Sequence, residues 1–173
     1  MNPAPFVVSL ALDADSFAVL DGLRRRHFPP ERLKVGAHIT LFHALPSDRE
    51  DEIRADLTLV RSIQARFPVR FPWVFSIGRG VAIDAECPPL IRLRGFLADR
   101  WRPFLSPQDA APYRRPHVTI QNKVAPEAAR TLLAELEASW QPLEGEALGL
   151  NLWRYSGGHW EAAGSFNFAV SSE

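Results

Sequence analysis

Two four-residue segments constrain this chain more than any others: His38-Ile39-Thr40-Leu41 and His117-Val118-Thr119-Ile120. Each is a histidine, a β-branched apolar residue, a threonine and a second apolar residue. The β-branched residues favour an extended backbone. In a strand, alternate side chains share a face. His38 and Thr40 therefore point one way, and Ile39 and Leu41 the other. His117 and Thr119 stand in the same relation to Val118 and Ile120. Such a strand buries its aliphatic face and presents an imidazole and a hydroxyl on the opposite one. The segments lie 79 residues apart in a chain of 173, near half its length, which predicts two similar halves. Brought side by side, the two strands make a site of two imidazoles and two hydroxyls, suited to acid–base chemistry on a phosphate.

The pattern around these segments supports the duplication. Pro5 to Leu12 reads as a strand, and Asp15 or Ser16 as the cap of a helix running to about His27, where Phe28-Pro29-Pro30 stops it. After the first motif strand, Ala37 to Leu45, a helix is predicted from Pro46-Ser47 to about Arg66. It carries Ile53, Leu57, Val60 and Ile63 at helical spacing. Phe67 to Ile77 and Val81 to Ala85 read as strands joined at Gly78-Arg79-Gly80. Pro88-Pro89 opens a helix through Trp101. The Pro-rich stretch from Pro103 to Pro116 reads as a loop, and Pro116 to Asn122 as the second motif strand. A helix from Pro126 to about Trp140 precedes a hairpin of Leu143 to Tyr155 and His159 to Val170 around Ser156-Gly157-Gly158. After each motif strand come a helix and two strands. The expected fold is α+β and bilobal. Its two pseudo-twofold-related halves each hold an antiparallel sheet and helices, and the motif strands line a central cleft. Residues 1–173 are expected to form one domain.

Composition narrows the classes of function. Net charge is zero, which argues against a general polyanion binder. The charge is unevenly spread, however. Arg24, Arg25, Arg26, Arg32 and Lys34 face only Glu31 between positions 24 and 34. Arg92, Arg94, Arg100, Arg102, Arg114, Arg115 and Lys123 face Asp99 and Asp109 between 92 and 123. Each basic stretch runs up to or through a His-x-Thr strand, so a local positive field can meet an anionic substrate. The single Cys87 excludes an internal disulfide and leaves no cysteine cluster for zinc. That fits a reducing cytoplasm. The apolar run from Phe6 to Leu12 is too short for a membrane span and lacks a basic leader. No stable protein partner is evident, and a monomer is expected.

Twin His-x-Thr-x strands in this order of elements resemble the 2H phosphoesterase superfamily. The closer likeness is to its bacterial 2′-5′ RNA ligase-like branch, also described as RNA 2′,3′-cyclic phosphodiesterases. The resemblance covers nearly the whole chain. Pro116 before the second histidine and the terminal hairpin from Leu152 to Trp160 add to it. It implies a bilobal α+β fold with the two histidines facing each other across a cleft. It also implies cleavage of phosphodiesters without metal or other cofactor. The implied partners are 2′,3′-cyclic ends of RNA or small nucleotide derivatives.

The residues themselves allow that chemistry. Opening a cyclic phosphate needs water deprotonated on one side and the departing ribose oxygen protonated on the other. Histidine serves either role near neutral pH. His117 is assigned as the base and His38 as the acid. Thr40 and Thr119 are assigned to donate to non-bridging phosphate oxygens. Arg115, adjacent to the second motif, is the arginine best placed in sequence to offset developing charge. Phe42 shares the parity of His38 and can stack on a base, although core packing is the commoner fate of a phenylalanine. Gln121 shares the parity of His117, and Lys123 follows the second motif, so both are candidates for substrate contact. His43 has the wrong parity for the site, and His27 and His159 lie at element ends. Trp153, Tyr155 and Trp160 can form one wall of the cleft. A nucleotide or RNA-end binding protein without turnover needs the same residues. A histidine metal site is the poorer alternative, because the motif strands offer no nearby carboxylate.

Overall fold

Asp13 accepts a hydrogen bond from the Ser16 backbone amide at 3.1 Å and so caps the first helix, two residues before the first sequence candidate. Two later helices begin on Pro88 and Pro126, where the missing N–H costs nothing. Between these starts the chain of the computed structural model, which describes residues 3–170, runs as follows. β1 (Phe6–Leu12), α1 (Ala14–His27) and β2 (Ile39–Leu45) come first. Then come α2 (Glu50–Ile63), β3 (Phe67–Phe71), β4 (Val74–Ser76), β5 (Val81–Asp84) and α3 (Pro88–Trp101). α4 (Pro107–Ala110), β6 (His117–Gln121), α5 (Pro126–Ser139), β7 (Leu143–Ser156) and β8 (His159–Asn167) complete it. The two ends of the 1–173 span lie outside the described residues.

The strands form two antiparallel sheets, so the α+β bilobal expectation holds. The lobes are unequal, however. The larger sheet has the order β2-β1-β7-β3, with β8 also paired to the long β7, and the smaller has the order β4-β5-β6. The sequence run from Phe67 to Ile77 reads as one strand but is divided. β3 pairs with β7 in the large sheet, and β4 pairs with β5 in the small one. Pro72, with no N–H to give a ladder, lies in the break between them. The stretch read as a loop from Pro103 to Pro116 contains α4, capped by the Ser106 side chain on the Asp109 amide. Apolar residues from both sheets and from the helices join in one buried cluster.

Both motif strands are edges, β2 of the large sheet and β6 of the small one. The two edges meet, and the groups they leave unpaired are claimed by side chains from elsewhere. The Tyr113 hydroxyl donates to the Thr40 carbonyl at 2.9 Å, and Arg24 on α1 donates to the Thr119 carbonyl at 2.7 Å. Arg94 on α3 donates to the Leu41 carbonyl at 3.2 Å. Junction backbone is thus satisfied without a continuous sheet.

A β-bulge interrupts each motif strand at the same place. Val8 and Ser9 on β1 pair with Phe42 and Thr40, leaving Leu41 as the extra residue. Val81 and Ala82 on β5 pair with Gln121 and Thr119, leaving Ile120 as the extra residue. A bulge of one residue flips the parity of everything beyond it. Two sequence assignments therefore change. Phe42 turns into the core, 0% exposed, and packs edge-on against Trp101 with ring centroids 4.9 Å apart. Gln121, at the matching position 79 residues on, is also buried. Neither reaches the cleft.

Candidate active site

The two motifs line one cleft of about 410 Å³ between the sheet edges. His38, Thr40, His117 and Thr119 all contribute to it. His38 lies just ahead of β2 and His117 opens β6. Their local settings match. The ring Nδ1 of His38 is 2.8 Å from the Gly36 carbonyl, and that of His117 is 2.8 Å from the Arg115 carbonyl. A carbonyl only accepts, so Nδ1 carries a hydrogen in both rings and Nε2 is left for proton transfer. Each imidazole is fixed by its own chain two residues upstream. Neither threonine hydroxyl is engaged by another protein group among the described residues. Both are available as donors.

The two histidines differ in what surrounds them. Trp160, on the terminal hairpin, stands against His38 with ring centroids 5.0 Å apart. Trp160 also meets Trp153 and Tyr155 edge-on, at 6.0 and 5.8 Å, so the hairpin aromatics pack together beside His38, but none of the three lines the cleft of which the sequence offered them as one wall. Burial pushes the His38 imidazole down to about 4. The Gly36 hydrogen bond opposes this shift, and the charges of Arg24, His43 and His117 add to it. In the free protein His38 is neutral at pH 7. His117 meets the edge of Phe75 at 5.7 Å instead.

The arginine adjacent to His117 is already occupied. Arg115 donates to Asp84 at 3.0 Å and lies over the Phe75 ring at 3.5 Å. It still borders the cleft. Arg114 borders it too, and its side chain makes no hydrogen bond, ion pair or ring contact among the described residues. Sequence position favoured Arg115, but pairing leaves Arg114 as the freer cation. Lys123 is exposed in a turn with φ of 60° and does not line the cleft.

Sequence reasoning did not place Arg94, Gln108, Tyr113 or Arg114 at the site, and it turned His43 away from it. Strict alternation turns that histidine away from the site, and the Leu41 bulge turns it back, so it lines the cleft with its side chain 45% exposed. Its Nδ1 is 3.1 Å from an oxygen of Asp109, which is fully buried. That carboxylate also accepts from the backbone amides of His43 and Ala44 at 2.9–3.0 Å. Burial works against charge on Asp109, but the bonds from His43 and Ala44 outweigh it and hold its pKa below the ordinary carboxylate value. Among the described residues, no group of three or more His, Cys, Asp or Glu side chains stands where it could hold a metal ion. No helix among them is long and apolar enough to cross a membrane.

Known proteins share this architecture. No curated protein matches the sequence. TT0787 of Thermus thermophilus superposes with a TM-score of 0.69 at 16% identity, over 97% of this chain and 100% of that one. LigT of E. coli in its apo form superposes with a TM-score of 0.66 at 16% identity, over 98% and 99%. LigT complexed with 3′-AMP gives 0.63 at 17% identity, over 96% and 99%. At these identities the likeness establishes the fold. The family model is more specific: that of the 2′-5′ RNA ligase superfamily matches residues 11–159, and this chain belongs to that superfamily.

Proposed function

We propose that this protein is a phosphodiesterase that opens 2′,3′-cyclic phosphates, at the ends of RNA or on small nucleotides, by proton transfer through His38 and His117 without a metal ion. The observation that carries this reading is the pair of imidazoles lining one cleft, each with Nδ1 tied to its own backbone and Nε2 bare. Superfamily membership supports phosphoesterase chemistry. LigT, which shares the fold, has been crystallised with 3′-AMP, NADP+ and ATP, so nucleotide ligands suit the scaffold.

The reaction needs one proton removed and one supplied. A water oxygen bonds to phosphorus while the bond from phosphorus to one ribose oxygen breaks. The neutral His38 takes the proton of the water at Nε2, and His117 delivers a proton from Nε2 to the departing oxygen. This reverses the roles expected from sequence. The physical reason is the burial of His38 behind Trp160, which leaves it without a proton to give at pH 7. Thr40 and Thr119 donate to the non-bridging oxygens as charge grows there. With an RNA hydroxyl in place of water, the same groups join ends through a 2′-5′ linkage.

The test is a panel of 2′,3′-cyclic nucleotides and RNA with cyclic ends, in EDTA, with phosphorus NMR of the products. Ring opening that survives chelator is expected. Tight binding without turnover would instead make the protein a nucleotide-end binder. A diester with a p-nitrophenyl leaving group then assigns the roles, since that group departs without a proton. Activity on it should survive His117→Ala and vanish in His38→Ala; the opposite pattern restores His38 as the acid.

A further inference from the structure

The cleft holds more than one phosphate needs. Its volume of about 410 Å³ lies within the range of small-molecule sites, roughly 300–1,000 Å³. Arg94, Tyr113 and Arg115 in it are engaged by other protein groups and Gln108 is a neutral amide, which leaves two further groups once the His-x-Thr pairs are assigned. One is His43, anchored through Nδ1 on the buried Asp109, which leaves Nε2 free. The other is Arg114, an exposed guanidinium without a partner among the described residues. The segment from Gln108 to Arg115 connects them and forms one wall of the cleft. Asp109 pins that wall to β2, and its far end runs into β6.

The buried Asp109 carboxylate is satisfied by three N–H donors, two from the β2 backbone and one from the His43 ring, so it holds both the wall and this half-exposed imidazole in place. Asp109 holds Nδ1 of His43 and so leaves Nε2 for the cleft. Nε2 is then the atom through which this ring can hydrogen-bond a phosphate. Arg114 offers a planar fork for the same purpose. Arg114 also borders a second groove of about 770 Å³, lined in part by Arg92, whose side chain is likewise without a partner among the described residues. In that groove Arg70 is paired with Glu86 and Glu144 and Arg115 with Asp84, so Arg92 and Arg114 are its two cations without a carboxylate partner among the described residues.

We propose that His43, held on Asp109, and Arg114 form a second anion subsite, which takes the phosphate one nucleotide upstream of the cyclic one. Every RNA chain end carries that phosphate on the 5′ oxygen of its last ribose. A free cyclic mononucleoside does not. The subsite therefore selects a chain end over the mononucleoside. This rests on the cyclic phosphodiesterase reading above and deepens it.

The experiment compares adenosine 2′,3′-cyclic phosphate with and without a 5′-phosphate. The 5′-phosphate should raise kcat/KM roughly tenfold or more, mainly through KM, as expected for charge-assisted hydrogen bonds. In Arg114→Gln and in His43→Gln the ratio should fall towards one, and Arg114→Lys should restore part of it. Arg114 is exposed, so its variants test the subsite even if His43→Gln disturbs β2. Equal kcat/KM for the two substrates in the native protein would overturn the proposal. So would a preference that survives both glutamine variants. If neither substrate is turned over, the phosphodiesterase reading fails by itself, and calorimetry with adenosine 3′-phosphate and adenosine 3′,5′-bisphosphate decides the subsite. Tighter binding of the bisphosphate, lost in both variants, supports it; equal binding refutes it.

Discussion

The two lobes carry the same device in different surroundings. Each presents a His-x-Thr strand at a sheet edge, each ties the histidine Nδ1 to the carbonyl two residues upstream, and each bulges directly after the motif. The large lobe then covers its histidine with the terminal hairpin, while the small lobe leaves its own beside Phe75 and the polar wall from Gln108 to Arg115. The repeated motif thus supplies matched geometry, and the unequal shells set His38 apart, since burial lowers its pKa. That inequality fixes which histidine serves as base, whereas two identical histidines sharing one proton could exchange the roles.

The sharpest way to break the comparison is to remove each imidazole in turn. His38→Ala and His117→Ala should each lower kcat on a cyclic nucleotide by about 10²–10⁴-fold, since each removes one proton transfer. Circular dichroism confirms folding, and steady-state kinetics measures the loss. If the two roles are coupled, the double variant should lose little more than the worse single one. A folded single variant with near-normal turnover would remove that histidine from the mechanism.

Much of this site was legible in the sequence because strand parity is local. His38, Thr40, His117 and Thr119 follow from alternation over three residues, before any irregularity intervenes. Alternation fails beyond Leu41 and Ile120 because a bulge depends on pairing with β1 and β5, which lie far away in sequence. Alternation alone therefore offers Phe42 and Gln121 to the cleft, although core packing is the commoner fate of a phenylalanine, and it turns His43 away. The paired state of Arg115 was hidden for a similar reason, since its partners Asp84 and Phe75 come from β5 and β4. The helices were easier to read, as α3 and α5 both start on the proline that announces them. The division of Phe67 to Ile77 between two sheets needed the partner strands to be known, although Pro72 marks the place.

A smaller effect separates the lobes by stability rather than rate. The folded-state pKa of His38, about 4, lies below its ordinary value of 6.5. The unfolded chain therefore binds this proton more readily. The corresponding stability is fully present above pH 6.5 and is lost as pH falls to about 4. The loss should be on the order of 3 kcal/mol across that window. Denaturant titrations from pH 7 to pH 4 should show this component vanish in His38→Gln and persist in His117→Gln. Equal acid sensitivity in both variants would mean that the hairpin does not keep His38 neutral.

The smallest expected effects come from the threonines, and they test whether the lobes grip the phosphate equally. Thr40→Val and Thr119→Val keep the β-branch, so each strand should tolerate the change. Each removes one hydroxyl that lines the cleft and has no protein partner among the described residues. The expected cost is roughly 1–3 kcal/mol of transition-state stabilisation per donor, read as a fall in kcat/KM. If the phosphate sits near the pseudo-twofold axis, the two variants should lose similar amounts. A much larger loss for one would place the phosphate against that lobe, and the water and leaving oxygen would then be held asymmetrically as well. A loss in KM alone would assign the hydroxyls to ground-state binding, whereas a loss in kcat would place their bonds at the developing charge.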